Sequence, residues 1–228
     1  RDILRIDPVD GKIVMKFTTP SPADAWGRIR VQEDLLLATI CRDHKSEGKS
    51  YGKLPVELVA LDRHTGKEQW AQKAYMSFPV LAVGDDKVFC YDGLLEGLYG
   101  DTRRRGLIPK SSEEKLIKAF DLKTGNEVWK RTTELAATWT GYSGGKDVLM
   151  VSNKSGMVAI RGQDGEELWQ KKAEGRGFRG HPESLWDKII VTEDRIIDQR
   201  GPGYSYDLAT GNPTLRKHPI TKQEVEWQ

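Results

Sequence analysis

Short runs of apolar residues that end at polar, turn-forming residues recur along the whole chain. In one of them, Leu58 and Ala60 alternate with Val59 and Leu61 before the polar turn at residues 62–66, and alternation resumes after it. Successive side chains of a β-strand point to opposite faces, so this pattern predicts two half-buried strands joined as a β-hairpin. The chain is therefore predicted to be all-β.

The same hairpin pattern occurs several times. Residues 59–70 and 118–129 share the pattern Ala-x-Asp-x-x-Thr-Gly-x-x-x-Trp, and residues 158–169 keep its Ala, Gly and Trp but have Arg161 at the Asp position. Fainter copies lie near the two ends of the sequence. Internal repeats of this length predict an array of like units, here one domain spanning residues 1–228. The predicted motif hairpins are residues 3–17, 56–73, 115–132, 157–171 and 203–217.

Each type of residue that the repeats share has a predicted structural role. The Asp carboxylate accepts hydrogen bonds from backbone N–H groups of the turn, and the Gly adopts a positive φ. The Trp lies on the second strand, where its large side chain covers the turn of the neighbouring repeat. The structural motif residues are Asp62, Thr65, Gly66, Trp70, Asp121, Thr124, Gly125, Trp129, Gly165 and Trp169.

The spacing of the turn glycines sets the size of the repeating unit. Successive glycines are 55, 59, 40 and 46 residues apart, and a four-stranded blade needs about 40–45 residues. The third and fourth intervals are therefore plain blades, and the first two are predicted to carry polar insertions at residues 42–55 and 92–114. The first blade lacks its first two strands. Strands near 184–186 and 188–192 are expected to begin the fifth blade, and residues 225–227 to begin another.

The repeated pattern resembles the tryptophan-docking motif of the PQQ-like (quinoprotein-type) β-propellers. This resemblance implies a propeller of four-stranded antiparallel blades, with the motif on the third and fourth strands of each blade. Propellers of this type usually close with seven or eight blades, so five hairpins predict an incomplete arc or fragment of a larger ring. A closed five-bladed ring is the alternative. The resemblance also implies an extracytoplasmic protein, periplasmic or exported.

Most of the catalytic features that the resemblance to quinoprotein enzymes would imply are missing from the sequence. Quinoprotein alcohol dehydrogenases carry an adjacent pair of cysteines and a calcium site of Glu, Asn and Asp, and neither can be assembled here. No two of the four histidines have metal-ligand spacing. No catalytic residue, metal site or cofactor is predicted. The preferred hypothesis is a non-catalytic binding or scaffold propeller for a protein or glycan partner. The alternative is part of a dehydrogenase that oxidises alcohols or sugars with PQQ and calcium.

Candidate ligand-binding residues lie in the connections opposite the motif turns. Arg103, Arg104 and Arg105 form a basic run that suits an acidic partner, or else a solvated loop tip. Arg176, Arg179 and His181 lie on a glycine-spaced connector and could hold a carboxylate or phosphate, or pair with carboxylates of the blades.

Three tryptophans lie outside the motif position, near the starts of inner strands: Trp26, Trp139 and Trp186. Trp139 is the candidate for stacking on a planar or sugar ring, and packing between blades is the alternative.

The composition of the chain adds little to these predictions of fold and function. The chain has 228 residues, 37% hydrophobic and 31% charged, with a formal net charge of +2, which is typical of a globular domain and gives no sign of a nucleic-acid partner. No apolar run is long enough to form a transmembrane segment. Cys41 and Cys90 are predicted to be free thiols, with a disulfide as the alternative.

Overall fold

The computed structural model describes residues 2–46, 49–74, 76–84, 86–93, 115–135, 137–153, 156–172, 189–198, 204–217 and 220–226. Within these ranges the regular structure is β-strand, apart from one 3₁₀ turn at Gly144–Lys146. The first ten strands are β1 (Ile3–Ile6), β2 (Ile13–Phe17), β3 (Ala25–Gln32), β4 (Leu35–Ser46), β5 (Lys49–Asp62), β6 (Glu68–Lys73), β7 (Met76–Val83), β8 (Lys87–Asp92), β9 (Leu116–Asp121) and β10 (Glu127–Thr132). The others are β11 (Trp139–Ser143), β12 (Val148–Asn153), β13 (Gly156–Arg161), β14 (Glu167–Lys172), β15 (Ile189–Val191), β16 (Arg195–Asp198), β17 (Tyr204–Asp207), β18 (Leu215–Lys217) and β19 (Glu224–Glu226).

The strands form antiparallel sheets in chain order. Three sheets have four strands each, β3 to β6, β7 to β10 and β11 to β14; they are named blades two, three and four. The hairpin of β1 and β2 stands before them, and β15 to β17 form a fifth sheet after them. First strands of neighbouring sheets contact one another, β3 with β7, β7 with β11 and β11 with β15. The fold is thus an incomplete β-propeller of four-stranded antiparallel blades, as the sequence predicts.

The core lies between the blades, where apolar faces of successive sheets meet. Between blades three and four, Phe89 and Ile117 pack with Leu149 and Ile160, and all four are at most 1% exposed. Leu37, Leu58 and Ala60 of blade two pack in the same way on Val88 and Phe120 of blade three. The inner strands of blades two, three and four are therefore buried on both faces, which explains why they are almost continuously apolar.

The polar insertion predicted at residues 42–55 is formed by extensions of β4 and β5 beyond the neighbouring strands. β4 and β5 have 12 and 14 residues, and their pairing continues to Lys45 with Ser50 and Ser46 with Lys49. Residues 42–50 are all polar, charged or glycine, so this part of the two strands shows no alternation of apolar and polar residues. The alternation used to predict half-buried strands therefore did not identify the outer halves of β4 and β5. Residues 94–114 of the second predicted insertion lie outside the described residues.

The predicted strands at the end of the chain also need correction. Residues 184–186 lie outside the described residues. Ile189–Val191, predicted as a second strand, is the edge strand of the described sheet and pairs with the unpredicted strand Arg195–Asp198. The tight turn between them is closed by a Thr192 N–H donating to the Arg195 carbonyl at 2.9 Å. The terminal strand Glu224–Glu226 pairs with Leu215–Lys217 instead of starting a separate blade.

The inter-blade core makes a stability prediction. Leu149 is fully buried between blades three and four. Leu149→Ala should lower the free energy of unfolding by about 2–5 kcal/mol because it removes buried methyl groups and leaves a cavity. The measurement is urea denaturation followed by circular dichroism. Val128→Ala, at a position that is 46% exposed, is the control and should cost less than about 0.5 kcal/mol. Equal effects of the two changes would contradict this packing.

Candidate binding face and the inter-blade tryptophan contacts

The motif turns have one shared geometry. In the turn of blade two, Asp62 Oδ1 accepts from the backbone N–H of His64 at 2.8 Å, the N–H of Thr65 at 2.7 Å and the Thr65 hydroxyl at 2.9 Å. The turns that begin at Asp121 and Asp207 repeat this pattern. All five turn glycines have φ between 69° and 78°, as predicted for this position.

The turn that lacks the motif Asp uses a different carboxylate. Asp147, on the preceding turn, accepts the Gln163 N–H through Oδ2 at 2.9 Å and the Tyr142 hydroxyl through Oδ1 at 2.7 Å. Arg161 itself pairs with Asp164 and Glu166, at 2.8 and 2.6 Å. The sequence could not identify Asp147 as the replacement because it lies 14 positions before Arg161, in a different strand connection.

Three motif tryptophans contact the turn of the next blade. Trp70 Nε1 donates to the Leu122 carbonyl at 2.9 Å, Trp129 Nε1 to the Gly162 carbonyl at 2.8 Å, and Trp169 Nε1 to the Leu208 carbonyl at 3.0 Å. Each indole also covers the turn glycine that follows. A Cβ added at Gly125, Gly165 or Gly211 would lie within 2.6–2.7 Å of the ring. Glycine is therefore required at these positions for two reasons: the indole leaves no room for a Cβ, and φ is positive.

Burial of these tryptophans is uneven. Trp70 is 7% exposed, whereas Trp129 and Trp169 are half-buried. A polar side chain two residues further along the strand adds a second contact. Gln72 Nε2 donates to the Gly125 carbonyl and Arg131 Nη1 to the Gly165 carbonyl, both at 2.8 Å. The contact between blades is thus part apolar and part polar at its outer edge.

The ribbon of β4 and β5 lies at the ends of the strands opposite the motif turns. Two ion pairs and one hydrogen bond hold its base. Arg42 bridges two carboxylates, with its Nη2 at 2.7 Å from Glu57 and its Nε at 3.4 Å from Asp24. The Asp24 side chain is only 7% exposed. Lys53 Nζ donates to the Ala23 carbonyl at 2.6 Å. These bonds connect both strands of the ribbon to the segment that precedes β3, so the ribbon leaves the blade in a defined direction.

The candidate ligand residues are only partly described. Arg103, Arg104 and Arg105 lie outside the described residues, as do Arg176, Arg179, His181 and Trp186. Trp139 is half-buried and packs against a core cluster between blades four and five. Its ring also lies against Gly141, where a Cβ would be 2.4 Å away. Trp26 packs on the core next to β1 and β2 and donates from Nε1 to the Phe17 carbonyl at 3.1 Å.

One charged cluster on the motif-turn face was not identified from the sequence. His64 contacts Asp34 Oδ1 through Nε2 at 3.0 Å and Arg5 Nη1 through Nδ1 at 3.3 Å. Arg63 Nη2 lies 3.7 Å from Asp34. The four residues come from the first hairpin and from two turns of blade two. They connect those elements at the surface, and no local motif signals their approach.

The two cysteines are free and buried, in different blades. Burial, together with the nearby Asp92 carboxylate, raises the pKa of Cys90 to about 12. Asp92 pairs with Lys118 at 2.6 Å, with both side chains less than a fifth exposed. Within the described ranges no three His, Cys, Asp or Glu residues group closely enough to hold a metal ion.

A cavity of about 190 Å³ lies at the junction of blades three and four. Its lining includes the apolar residues Leu135, Val158 and Ile160 together with charged, hydroxyl and amide side chains. Sites for small molecules and cofactors are usually about 300–1,000 Å³. The cavity is thus smaller than a typical cofactor site.

A family model matches part of the sequence. The model, described as outer membrane protein assembly factor BamB, matches residues 113–218. This range holds the last three motif copies. No curated protein matches the sequence significantly.

Solved structures show the same fold. BamB from Moraxella catarrhalis is similar at 14% identity and a TM-score of 0.51, over 84% of this chain and 48% of that one. A europium-containing methanol dehydrogenase is similar at 15% identity and a TM-score of 0.55, over 95% and 49%. The quinohemoprotein alcohol dehydrogenase ADHIIG from Pseudomonas putida HK5 is similar at 16% identity and a TM-score of 0.54, over 99% and 42%.

These likenesses support one conclusion about the fold and repeat type. Residues 113–218 match a model of PQQ-like repeats. The chain has the fold of part of a β-propeller, and it spans about half the length of the solved propellers it resembles. Among the described residues, no helix has the length and apolar character needed to cross a bilayer.

Truncation of a motif tryptophan is expected to lower the stability of the fold strongly, because it removes the contact with the next blade. Trp70→Ala should lower the free energy of unfolding by about 3–5 kcal/mol because Trp70 is buried against the turn of blade three. Trp70→Phe keeps an aromatic ring but loses the bond to the Leu122 carbonyl, so it should cost less than Trp70→Ala. Urea denaturation measures both. A cost below about 1 kcal/mol for Trp70→Ala would show that the contact is dispensable.

The motif aspartates predict a pH dependence of stability. Hydrogen bonds from the Thr124 backbone N–H and hydroxyl lower the pKa of Asp121 below its ordinary value. A carboxyl with a depressed pKa in the folded state stabilises the fold above its unfolded pKa, and this contribution is lost as the pH falls through the folded pKa. Asp121→Asn should therefore reduce the Tm at neutral pH. Its Tm should converge with that of the unmodified protein as the pH falls from about 5 to about 2.

The control for this prediction is Thr124→Ala, which removes one of the two kinds of donor to Asp121. It should show a smaller change in the same direction. A constant difference in Tm between Asp121→Asn and the unmodified protein across this pH range would mean that the charge of Asp121 does not stabilise the turn.

Proposed function

We propose that this PQQ-like repeat propeller is a non-catalytic binding scaffold, and that a partner protein contacts the face from which the β4–β5 ribbon projects. The ribbon is the observation that carries the proposal. β8 and β12, the equivalent strands of blades three and four, have six residues each, whereas β4 has 12. At about 3.3 Å per residue, the extra half of the ribbon extends about 20 Å beyond the disc of blades.

A ribbon of this kind suits protein recognition. The outer halves of its strands are not covered by β3 or β6, whose pairing with it ends at Cys41 and Glu57. Their outward N–H and C=O groups can accept an added strand from a partner. The bonds of Arg42 and Lys53 at the base restrict the ribbon before binding, which lowers the entropy lost on association.

Charge suggests the chemistry of the partner surface. Residues 42–53 contain four Lys or Arg against one Asp and one Glu. Arg103, Arg104, Arg105, Arg176, Arg179 and His181 lie outside the described residues, and their position on the same face as the ribbon stays a prediction from the sequence. The partner proposed is therefore a protein with an acidic surface, and an anionic glycan is the other partner that this charge would fit.

The proposed location is extracytoplasmic. The matched family model is described as an outer membrane protein assembly factor, and the BamB structure has the same fold. A scaffold role in the cell envelope is consistent with both. The competing function is a quinoprotein dehydrogenase, because two of the similar structures are an alcohol and a methanol dehydrogenase. That function would require PQQ and calcium to bind.

Site-specific photo-cross-linking tests the binding proposal. A photoreactive amino acid at position 53, at the base of the ribbon, should cross-link in envelope extracts to a discrete protein identified by mass spectrometry. The same amino acid at Lys123 is the matched control, because Lys123 is exposed on a motif turn at the other end of the strands. Cross-linking at position 53 that an acidic polypeptide such as polyglutamate competes away would support the proposed partner chemistry.

A second measurement separates the two functions. The purified protein is titrated with PQQ, with and without calcium, and tryptophan fluorescence is recorded. No saturable binding is expected. Calcium-dependent binding at micromolar PQQ or below, or equal cross-linking at positions 53 and 123, would contradict the scaffold proposal.

A further inference from the structure

The cavity of about 190 Å³ between blades three and four can be traced to two side chains of blade four. Phe120 of β9 and Ile160 of β13 hold equivalent places, since each pairs with the glutamate that begins the outer strand of its blade. Two residues earlier, Lys118 and Val158 are equivalent in the same way. Blade four therefore has the smaller side chain at both positions, and the space that this leaves lies against blade three.

The next junction shows how a larger side chain fills the same place. Tyr206 precedes a motif Asp as Ile160 precedes Arg161, and Lys171 follows a motif Trp by two residues, as Arg131 does. The Lys171 Nζ lies 4.5 Å from the centre of the Tyr206 ring, so the junction of blades four and five is filled by the protein itself. Ile160 has no ring to place between blades three and four.

The lining of the cavity is mainly polar. Leu135, Val158 and Ile160 are at most 8% exposed, so they offer only a small apolar wall. Thr132 and Gln170 are exposed at its mouth, and hydroxyl and amide groups both donate and accept hydrogen bonds. Within the described part of the chain, neither side chain has a hydrogen-bond partner. Both are therefore available to a ligand.

The charges around the cavity compensate one another. Arg131 is held by Glu167 at 2.9 Å and by the Gly165 carbonyl at 2.8 Å. Lys115 Nζ donates to the Glu134 carbonyl at 3.5 Å, which places an ammonium group next to the residue that carries the second carboxylate. Two cations thus accompany two carboxylates, and the site has no excess charge to attract an ion.

We propose that this cavity binds one neutral sugar ring of a glycan. The hydroxyl groups of a pyranose donate and accept hydrogen bonds, which matches Thr132, Glu134 and Gln170. The C–H face of the ring suits the small apolar wall of Leu135 and Val158. A cavity of about 150 Å³ holds a benzene ring, so about 190 Å³ has room for a single six-membered ring.

This cavity is separate from the surface assigned to a protein partner. It shares no residue with the β4–β5 ribbon, and it suits an uncharged ligand, whereas the ribbon suits an acidic one. Loss of sugar binding would therefore leave the proposed interaction of the ribbon unaffected, and loss of the ribbon interaction would leave sugar binding unaffected.

An NMR titration of the ¹⁵N-labelled chain tests the proposal. The probes are N-acetylglucosamine and glucose, with glucuronate as the charged comparison. The neutral sugars should shift the amide signals of residues 132–135 and 167–170 saturably, with a Kd of about 1–10 mM, the scale for so small a ligand. Glucuronate should bind at least about threefold more weakly. The reason is that Arg131, the cation of the lining, is already paired with Glu167.

Gln170→Ala is the main variant. It removes a hydrogen-bonding group at the mouth of the cavity and should raise the Kd for N-acetylglucosamine about threefold to tenfold. Gln163→Ala, at an exposed position on a motif turn, is the matched control and should leave the Kd unchanged. Both positions are exposed, so circular dichroism should show the same fold in both variants. Equal Kd values for the two variants would overturn the assignment of the site.

The titration also separates a sugar from a peptide side chain, the other occupant that a cavity of this size could take. N-acetyl-lysine amide is titrated in parallel. Shifts of residues 132–135 with this probe and none with the sugars would assign the cavity to a protein partner and overturn the proposal. No saturable shift with either neutral sugar would overturn it as well. Tighter binding of glucuronate than of glucose would overturn the assignment to a neutral ring.

Discussion

The contact between a motif tryptophan and the turn of the next blade is the interaction on which the rest of the structure depends. One indole fulfils two requirements at once: it covers a glycine too closely for any Cβ, and its N–H donates to the carbonyl of the second residue of the turn. Both require the neighbouring turn to have one conformation, which the Asp carboxylate and the positive φ of the glycine provide. Each blade thereby fixes the position of the next.

This dependence explains how the repeat tolerates change in individual members. The fourth turn has Arg161 in place of its Asp, yet Asp147 supplies a carboxylate from another strand connection and the turn still accepts Trp129. The second turn is covered by Phe17 and Met15 at longer distances. What the repeat preserves is therefore the geometry of the turn and the cover over it, rather than the identity of each residue.

The connections at the two ends of the strands consequently differ in how much their lengths can vary. The motif turns are constrained by their neighbours, and their lengths are equal. At the other end, the pairing of β4 with β5 continues beyond the ends of their pairing with β3 and β6, so the ribbon extends while its blade keeps the common geometry. This division places variable recognition surface on a constant scaffold, which is why the binding proposal rests on the ribbon face.

The sequence by itself determined the strand periodicity, the turn positions and the repeat, because these depend on residues within about a dozen positions of one another. It therefore predicted the all-β propeller and the positive φ of Gly66 and Gly125. It missed the ribbon, because residues 42–50 show no alternation of apolar and polar residues. It also missed the Asp147 replacement and the cluster of Arg5, Asp34 and His64, since those partners meet only when separate strand connections are brought together. Only the tertiary structure decided which side chain covers which turn, because that depends on the packing of one blade against the next.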